Sequence, residues 1–360
     1  MSKSREEKLW DSRFVKTIKS IAPGTLLREG LENVLRAKMG ALVLVSNKPA
    51  VMELVDGGFA LNCEYTPAGF YELAKMDGAI VISDDALRVL YANAQLVPSS
   101  AITTKETGTR HRTAERVAKQ TGELVIAISQ RRNIITLYLG NLNYTLKDVR
   151  IIISRANQAV QTLEKYRAVI NSGLTTLTAL EFEDLVALSD VAGLIIKAEQ
   201  ACRITKDISR DVIEMGIEGR LISMQMDELT PDKDEVQLLI KDYCLSNDPE
   251  THGNVRKQVA DLPEEMLEPY NVCRLLGYGV TVNAIDVPVA TRGYRVLQLI
   301  PRLPMAVVEN LIMHFKTLNN VYKATIHQLD DVEGIGEVRA KTIQDGLRRM
   351  REQALIDHRF

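Results

Sequence analysis

Cysteine is scarce and never clustered. The four cysteines, Cys63, Cys202, Cys244 and Cys273, stand far apart with no Cys-x-x-Cys pair, which argues against a disulfide framework and a zinc knuckle. The five histidines, His111, His252, His314, His327 and His358, are equally scattered. None pairs with another at the spacing two ligands on one helix need, so no histidine-built metal centre is expected. No apolar run approaches the roughly 20 residues of a membrane-spanning helix, and Met1 to Lys8 lead into no apolar signal core. A cytoplasmic protein with no membrane partner is therefore expected. There is no Gly-x-x-x-x-Gly-Lys-Ser/Thr loop, and with it the usual ATPase cradle is missing. No serine or cysteine sits in a nucleophile elbow. Charge excess is absent too: 45 Lys and Arg oppose 47 Asp and Glu, a net of −2. Contact with a polyanion must then be local.

The 360 residues, 46% hydrophobic and 26% charged, suffice for two or three packed domains. Leu9, Phe14, Ile18 and Ile21 predict a helix that Ala22-Pro23-Gly24 breaks, and a second runs over Leu26 to Ala37. The β-branched run Ala41 to Val45 reads as a strand, and Asn47-Lys48-Pro49 as a turn into Val51 to Val55, together a hairpin. Thr66-Pro67 provides an N-cap and an N1 proline for a helix through Met76, ending at Asp77-Gly78. Strands are expected at Ala79 to Ser83, Leu87 to Val97, Leu124 to Ser129 and Ile134 to Leu139, the last two forming a hairpin. Mixed helices and hairpins imply an α/β domain with a mixed sheet, ending near Lys147. From Lys147 to Asp211 the chain has no proline and glycines only at Gly173 and Gly193, predicting a spine of two or three long helices. Thr230-Pro231-Asp232 restarts a helix through Cys244, and Ser246 to Gly253 reads as loop.

Two stretches of the α/β part carry candidate chemistry. Gly108-Thr109-Arg110-His111-Arg112-Thr113 delivers two arginines and a histidine into the first turn of a helix. Unpaired N–H groups and the positive dipole end favour an anion there, and the guanidinium forks suit phosphate oxygens. A Thr109 N-cap before a solvated basic face would read the same way. In Lys75-Met76-Asp77-Gly78-Ala79-Ile80-Val81-Ile82 a lone carboxylate and a glycine precede a buried strand. Together these stretches point to a metal-assisted nucleotide site. With Ser129 at a strand end, they can grip a triphosphate and hold a divalent ion, but they include no covalent nucleophile. Asp84-Asp85, the nearest thing to a nuclease acid pair, reads as a solvated turn.

The last part holds one internal repeat. Leu297, Ile300, Leu303 and Leu311 lie on Leu329, Val332, Ile335 and Ile343, each copy reading helix, tight hairpin, helix. Only the second copy carries both glycines, Gly334 and Gly336 about Ile335; without side chains in the way, the hairpin N–H groups can converge on one phosphate oxygen. Arg339 and Lys341 add charge. From 334 to 360 the chain has six Lys or Arg against four acids, so binding should be backbone-directed, salt-sensitive and indifferent to sequence. The stretch resembles the helix-hairpin-helix motif of DNA repair and recombination proteins, in its paired form.

Taken together, KMDGAIV at 75–81, GTRHRTAERVAKQTG at 108–122 and VEGIGEVRAK at 332–341 resemble the DisA family of bacterial DNA integrity scanning proteins, over essentially the whole chain. The resemblance implies a cyclase domain over 1–147, a helical linker over 148–285 and a tandem helix-hairpin-helix DNA-binding domain over 286–360. It implies condensation of two ATP into cyclic di-AMP with Mg²⁺ or Mn²⁺. Asp77 would ligate the metal or activate the 3′-hydroxyl. Gly78, Ala79 and Leu96 would lie along the nucleotide. Gly108, Thr109, Arg110, His111, Arg112 and Thr113 would hold the phosphates, with Ser129 nearby. Gln130 follows that serine where some relatives carry an acid. Gly334, Ile335, Gly336, Arg339 and Lys341 would meet DNA, of branched form. The family also implies a homo-octamer, regulation by DNA and association with the nucleoid. The residues alone leave open another class, a non-catalytic ATP-sensing scaffold that binds DNA.

Overall fold

The computed structural model describes residues 12–231, 233–279 and 286–357. It divides into two compact units, one of residues 1–157 with 208–224 and one of 158–207 with 225–360.

The first unit is a mixed sheet covered on both faces. Its strands are β1 (Ala41–Val45), β2 (Val55–Asp56), β3 (Phe59–Glu64), β4 (Ala79–Ile82), β5 (Arg88–Leu96), β6 (Leu124–Ser129), β7 (Ile134–Leu139) and β8 (Leu142–Thr145). The order is β2-β5-β4-β1-β6-β7-β8, with β3 also on β5. Among the described strands only β1 and β4 run parallel; the other pairs are antiparallel. β1 is buried at every residue because alternate side chains serve two cores. Ala41, Val43 and Val45 join Phe14, Leu27, Leu31 and Phe70, while Leu42 and Leu44 join Ala114, Val117 and Ala118 of the helix Thr109–Thr121. That helix is thereby held flat on the second face. Residues 208–224 return to this unit: Tyr144 donates to Glu214 at 2.6 Å and Lys147 Nζ to Asp211 at 2.5 Å.

The expected hairpin at 41–55 does not form. Pro49 sits at N1 of a short helix, Pro49–Met52, begun by Lys48, and this carries the chain away from β1. Val55 pairs with Leu96 of β5 instead. Two strands, β3 and β8, had no sequence expectation; in β3 Phe59, Leu61 and Cys63 alternate with Ala60, Asn62 and Glu64, yet all six residues are exposed, so the alternation marks no buried face.

The proline-free stretch folds into two helices, Val149–Glu183 of 35 residues and Leu188–Met215 of 28. In the second unit, helix Lys233–Tyr243 precedes a loop shorter than expected, because Asp248 accepts from Thr251 N and Pro249 opens the helix Pro249–Asp261. Asp232 and His358 lie outside the described residues.

The repeat is visible in the backbone. Tyr294–Gln298 and Met305–Phe315 form one copy, Ile326–Asp330 and Glu337–Asp357 the other. Ile300 N donates to Leu297 O and Leu303 N to Ile300 O; at the matching places Val332 N donates to Leu329 O and Ile335 N to Val332 O. All eight aliphatics that define the repeat share one core. Among the described residues no helix is long and apolar enough to cross a membrane.

Candidate functional site

Register alone brings the first unit's candidate residues to one end of the sheet. Ala79 pairs with Leu42 of β1 and Ala94 of β5, and Ala41 with Ile128 of β6. The Asp77-Gly78 turn, Gly40, Leu96 and Ser129 therefore close the same end of four adjacent strands. Gly78 turns at φ +95°, and a Cβ there would stand 2.9 Å from Ala94 O, so glycine is required. Asp77 is exposed, and its carboxylate makes no hydrogen bond or ion pair with the described residues. Ala79 and Leu96 are buried.

Against this end stands the helix Thr109–Thr121. Its N-cap is Gly108, one residue earlier than a Thr109 cap, and no side chain caps it. Since Arg112 N already bonds Gly108 O at 2.9 Å, the amides of Thr109, Arg110 and His111 are the ones left without an intrahelical acceptor. They open on a cleft of about 490 Å³ lined by Gly108, Thr109, Arg110, His111, Ser129, Gln130 and Arg131. Arg112 is exposed and not part of that lining.

Two contributors escaped the sequence reading. Gly40 lacks the carbon that would lie 2.2 Å from Arg110 Nη1, and so gives the guanidinium its bed. Arg131 lines the cleft from the β6–β7 turn; the Arg131-Arg132 pair one residue beyond Ser129-Gln130 was the available signal. Ser129 Oγ accepts from Arg132 N at 3.2 Å, which shapes that turn.

His111 is held by a short relay. Its Nδ1 lies 2.9 Å from the Tyr138 hydroxyl, which donates to Glu106 at 3.0 Å. With that proton committed, the tyrosine oxygen accepts the Nδ1–H, leaving the lone pair on Nε2. Among the described residues Nε2 is buried without a partner. Burial pushes the imidazole below its ordinary range; Glu106 opposes this, and Arg132 and Arg110 add to it. The loop carrying Glu106 is strapped to the helix by Arg116 to Ile102 O and Lys119 to Thr103 O, each 2.9 Å. Asp84 and Asp85 serve a turn, accepting from Asn47 N at 3.3 Å and Leu87 N at 3.0 Å.

In the second unit the structure brings Gly334, Ile335, Gly336 and Arg339 together. Gly334 adopts φ +84°, Ile335 is buried, and the Arg339 guanidinium folds back to donate to Gly334 O. Gly336 and Lys341 are exposed.

Residues 28–142 match the family model described as DisA bacterial checkpoint controller nucleotide-binding, and 146–285 that described as DisA bacterial checkpoint controller linker region. A DNA integrity scanning protein DisA of Carboxydothermus hydrogenoformans is 54% identical over 345 residues, 95% of this chain and 98% of the relative. One of Symbiobacterium thermophilum is 52% identical over 351 residues, 97% and 99% of the two chains. Among solved structures, DacA from Staphylococcus aureus is similar at 18% identity and TM-score 0.29, over 40% of this chain and 90% of that one. A hypothetical membrane spanning protein from Bacillus cereus is similar at 22% identity and TM-score 0.31, over 34% and 62%.

Proposed function

The chain belongs to the DisA family, and from that premise we propose that it is a diadenylate cyclase that condenses two ATP into cyclic di-AMP and two pyrophosphates. The observation that carries this reading is the gathering of the Asp77-Gly78 turn, the Gly40–Arg110 contact, the uncapped helix start and Ser129 at one sheet end. Triphosphate oxygens meet the amides of Thr109 to His111 with Arg110 and Arg131, while Arg112 and Thr113 lie within the same helix turn. The backbone of Gly78 and Ala79, with Leu96, faces the nucleoside. The unpartnered, exposed Asp77 carboxylate fits Mg²⁺ or Mn²⁺, since such ions take one or two protein carboxylates and draw their other ligands from phosphates and water. When bound, the ion would neutralise charge on the phosphates.

The site has no covalent nucleophile, so the attacking group is the substrate's. One copy's nucleotide offers its 3′-hydroxyl to the α-phosphorus of the other; a P–O bond forms, the bond to pyrophosphate breaks, and the hydroxyl proton passes to solvent. A second, reciprocal attack closes the ring. Positioning and charge neutralisation do most of the catalytic labour. Two copies must face each other, and we assign the assembly as an octamer. The boundaries 1–147, 148–285 and 286–360 are our division into cyclase, linker and tandem helix-hairpin-helix parts. The hairpin at Gly334-Ile335-Gly336, with Arg339 and Lys341, binds DNA backbone and regulates the cyclase; the nucleoid of the cytoplasm is the corresponding location.

Purified protein incubated with ATP and Mn²⁺ should yield cyclic di-AMP and pyrophosphate by chromatography. ADP alone, or untouched ATP, overturns the assignment. Asp77→Asn should abolish product while ATP binding stays within a few fold.

A further inference from the structure

The first copy of the repeat holds an unusual residue at its hairpin. Gly334 of the second hairpin has its counterpart in Arg302 of the first, and Arg302 adopts the same left-handed conformation, φ +62° against +84°. Glycine enters that region freely, whereas an arginine there is strained. The fold does not ask for the guanidinium. Arg302 is exposed and makes no hydrogen bond or ion pair with the described residues. Pro304 stands where the second copy has Gly336, so the first hairpin lacks an N–H group that its twin presents. The two hairpins also pack against each other. Asn310, on the first copy's second helix, donates to Glu333 O at 3.0 Å, and a Cβ on Gly334 would touch Val307 at 3.4 Å.

We infer that Arg302 is a second contact to the DNA backbone, its guanidinium replacing on the first hairpin the N–H donor that the second hairpin offers from Gly336. A forked cation is suited to this, because it reaches a phosphate oxygen without the close backbone approach that only glycine allows. Two linked contacts would fix how the duplex lies across the unit and carry no base information. This rests on the reading of the second unit as a DNA binder.

The test uses the full chain and fluorescently labelled DNA, linear and branched, titrated at several salt concentrations. Arg302→Gly relaxes the backbone, so its melting temperature should equal or exceed that of the parent. Its affinity should fall several fold, with the slope of log K against log salt reduced by about one. Arg302→Lys should recover part of the loss. Parental affinity and slope in Arg302→Gly, or a lowered melting temperature that accounts for the weaker binding, overturns the inference. Gly334→Val separates the two readings. If it loses binding while Arg302→Gly does not, only the first-hairpin contact fails. If the parent itself binds no DNA, the reading of the unit fails.

Discussion

At the scale of the residue, the candidate site depends on groups that are absent as much as on groups present. Gly40 is the clearest case: its missing Cβ leaves room for Arg110, and Gly40→Ala would place a carbon 2.2 Å from Nη1 and 3.2 Å from Ile128 O. The far end of an arginine can swing aside, so stability should change little, whereas the proposed phosphate grip should not survive. We expect product formation to fall at least tenfold in kcat/KM, about 1.4 kcal/mol of lost transition-state binding, with the melting temperature within a few degrees of the parent. Equal losses of stability and rate would make Gly40 a packing residue only. His111 allows a second check, free of any assay of activity. Glu106 raises its pKa and Arg132 lowers it, against a burial that dominates both. Glu106→Gln should move the imidazole titration, followed by proton NMR of the ring, further down, and Arg132→Ala should move it up. Shifts of the opposite sign would remove the Glu106–Tyr138–His111 relay.

Among the elements, those legible in the sequence were the ones whose own residues settle their fate. β6 and β7 are apolar runs about a polar turn and form the expected hairpin. Thr66 caps its helix by accepting from Gly69 N, with Pro67 at N1. The constant offset between the two hairpin copies is likewise a local pattern, and the backbone repeats it. What stayed hidden was set by partners distant in sequence. β3 forms because β5 offers an edge, and Gly40 matters because of Arg110, a residue far along the chain. The segment Ser246 to Gly253 departs from a loop for a local reason: Asp248-Pro249 is a start signal that the polar composition obscures. Asp248→Ala should lower the midpoint of denaturant unfolding, and no change would show the cap to be redundant. His252, one turn into that helix, shares its Nε2 with Ser246 O at 2.7 Å and is held below its ordinary range by burial. The unfolded chain then binds this proton more readily than the folded one. Stability from this group is complete above the unfolded pKa, about 6.5, and is lost as pH falls through the lower folded value. His252→Gln should flatten that acid decline.

For the whole molecule, chemistry dictates stoichiometry. A ring of two nucleotides contains two phosphodiester bonds, each made at a separate α-phosphorus, and nothing in one site can present a second ATP's hydroxyl as well as hold its triphosphate. On the proposed cyclase reading each copy is half of a reaction centre, and a pairing of two like surfaces by a two-fold axis would bring both attacks into line at once. Two measurable consequences follow from that symmetry. On dilution, product formed per subunit should fall together with the fraction assembled, as followed by light scattering on the same samples. In a mixture of parent and Asp77→Asn chains, pre-equilibrated so that subunits exchange, cyclic product should fall with the square of the parental fraction, because only parent–parent pairs close both bonds. A linear decrease would mean that one intact site completes the ring alone. Full specific activity in a dispersed monomer would mean the same, whatever the second unit does.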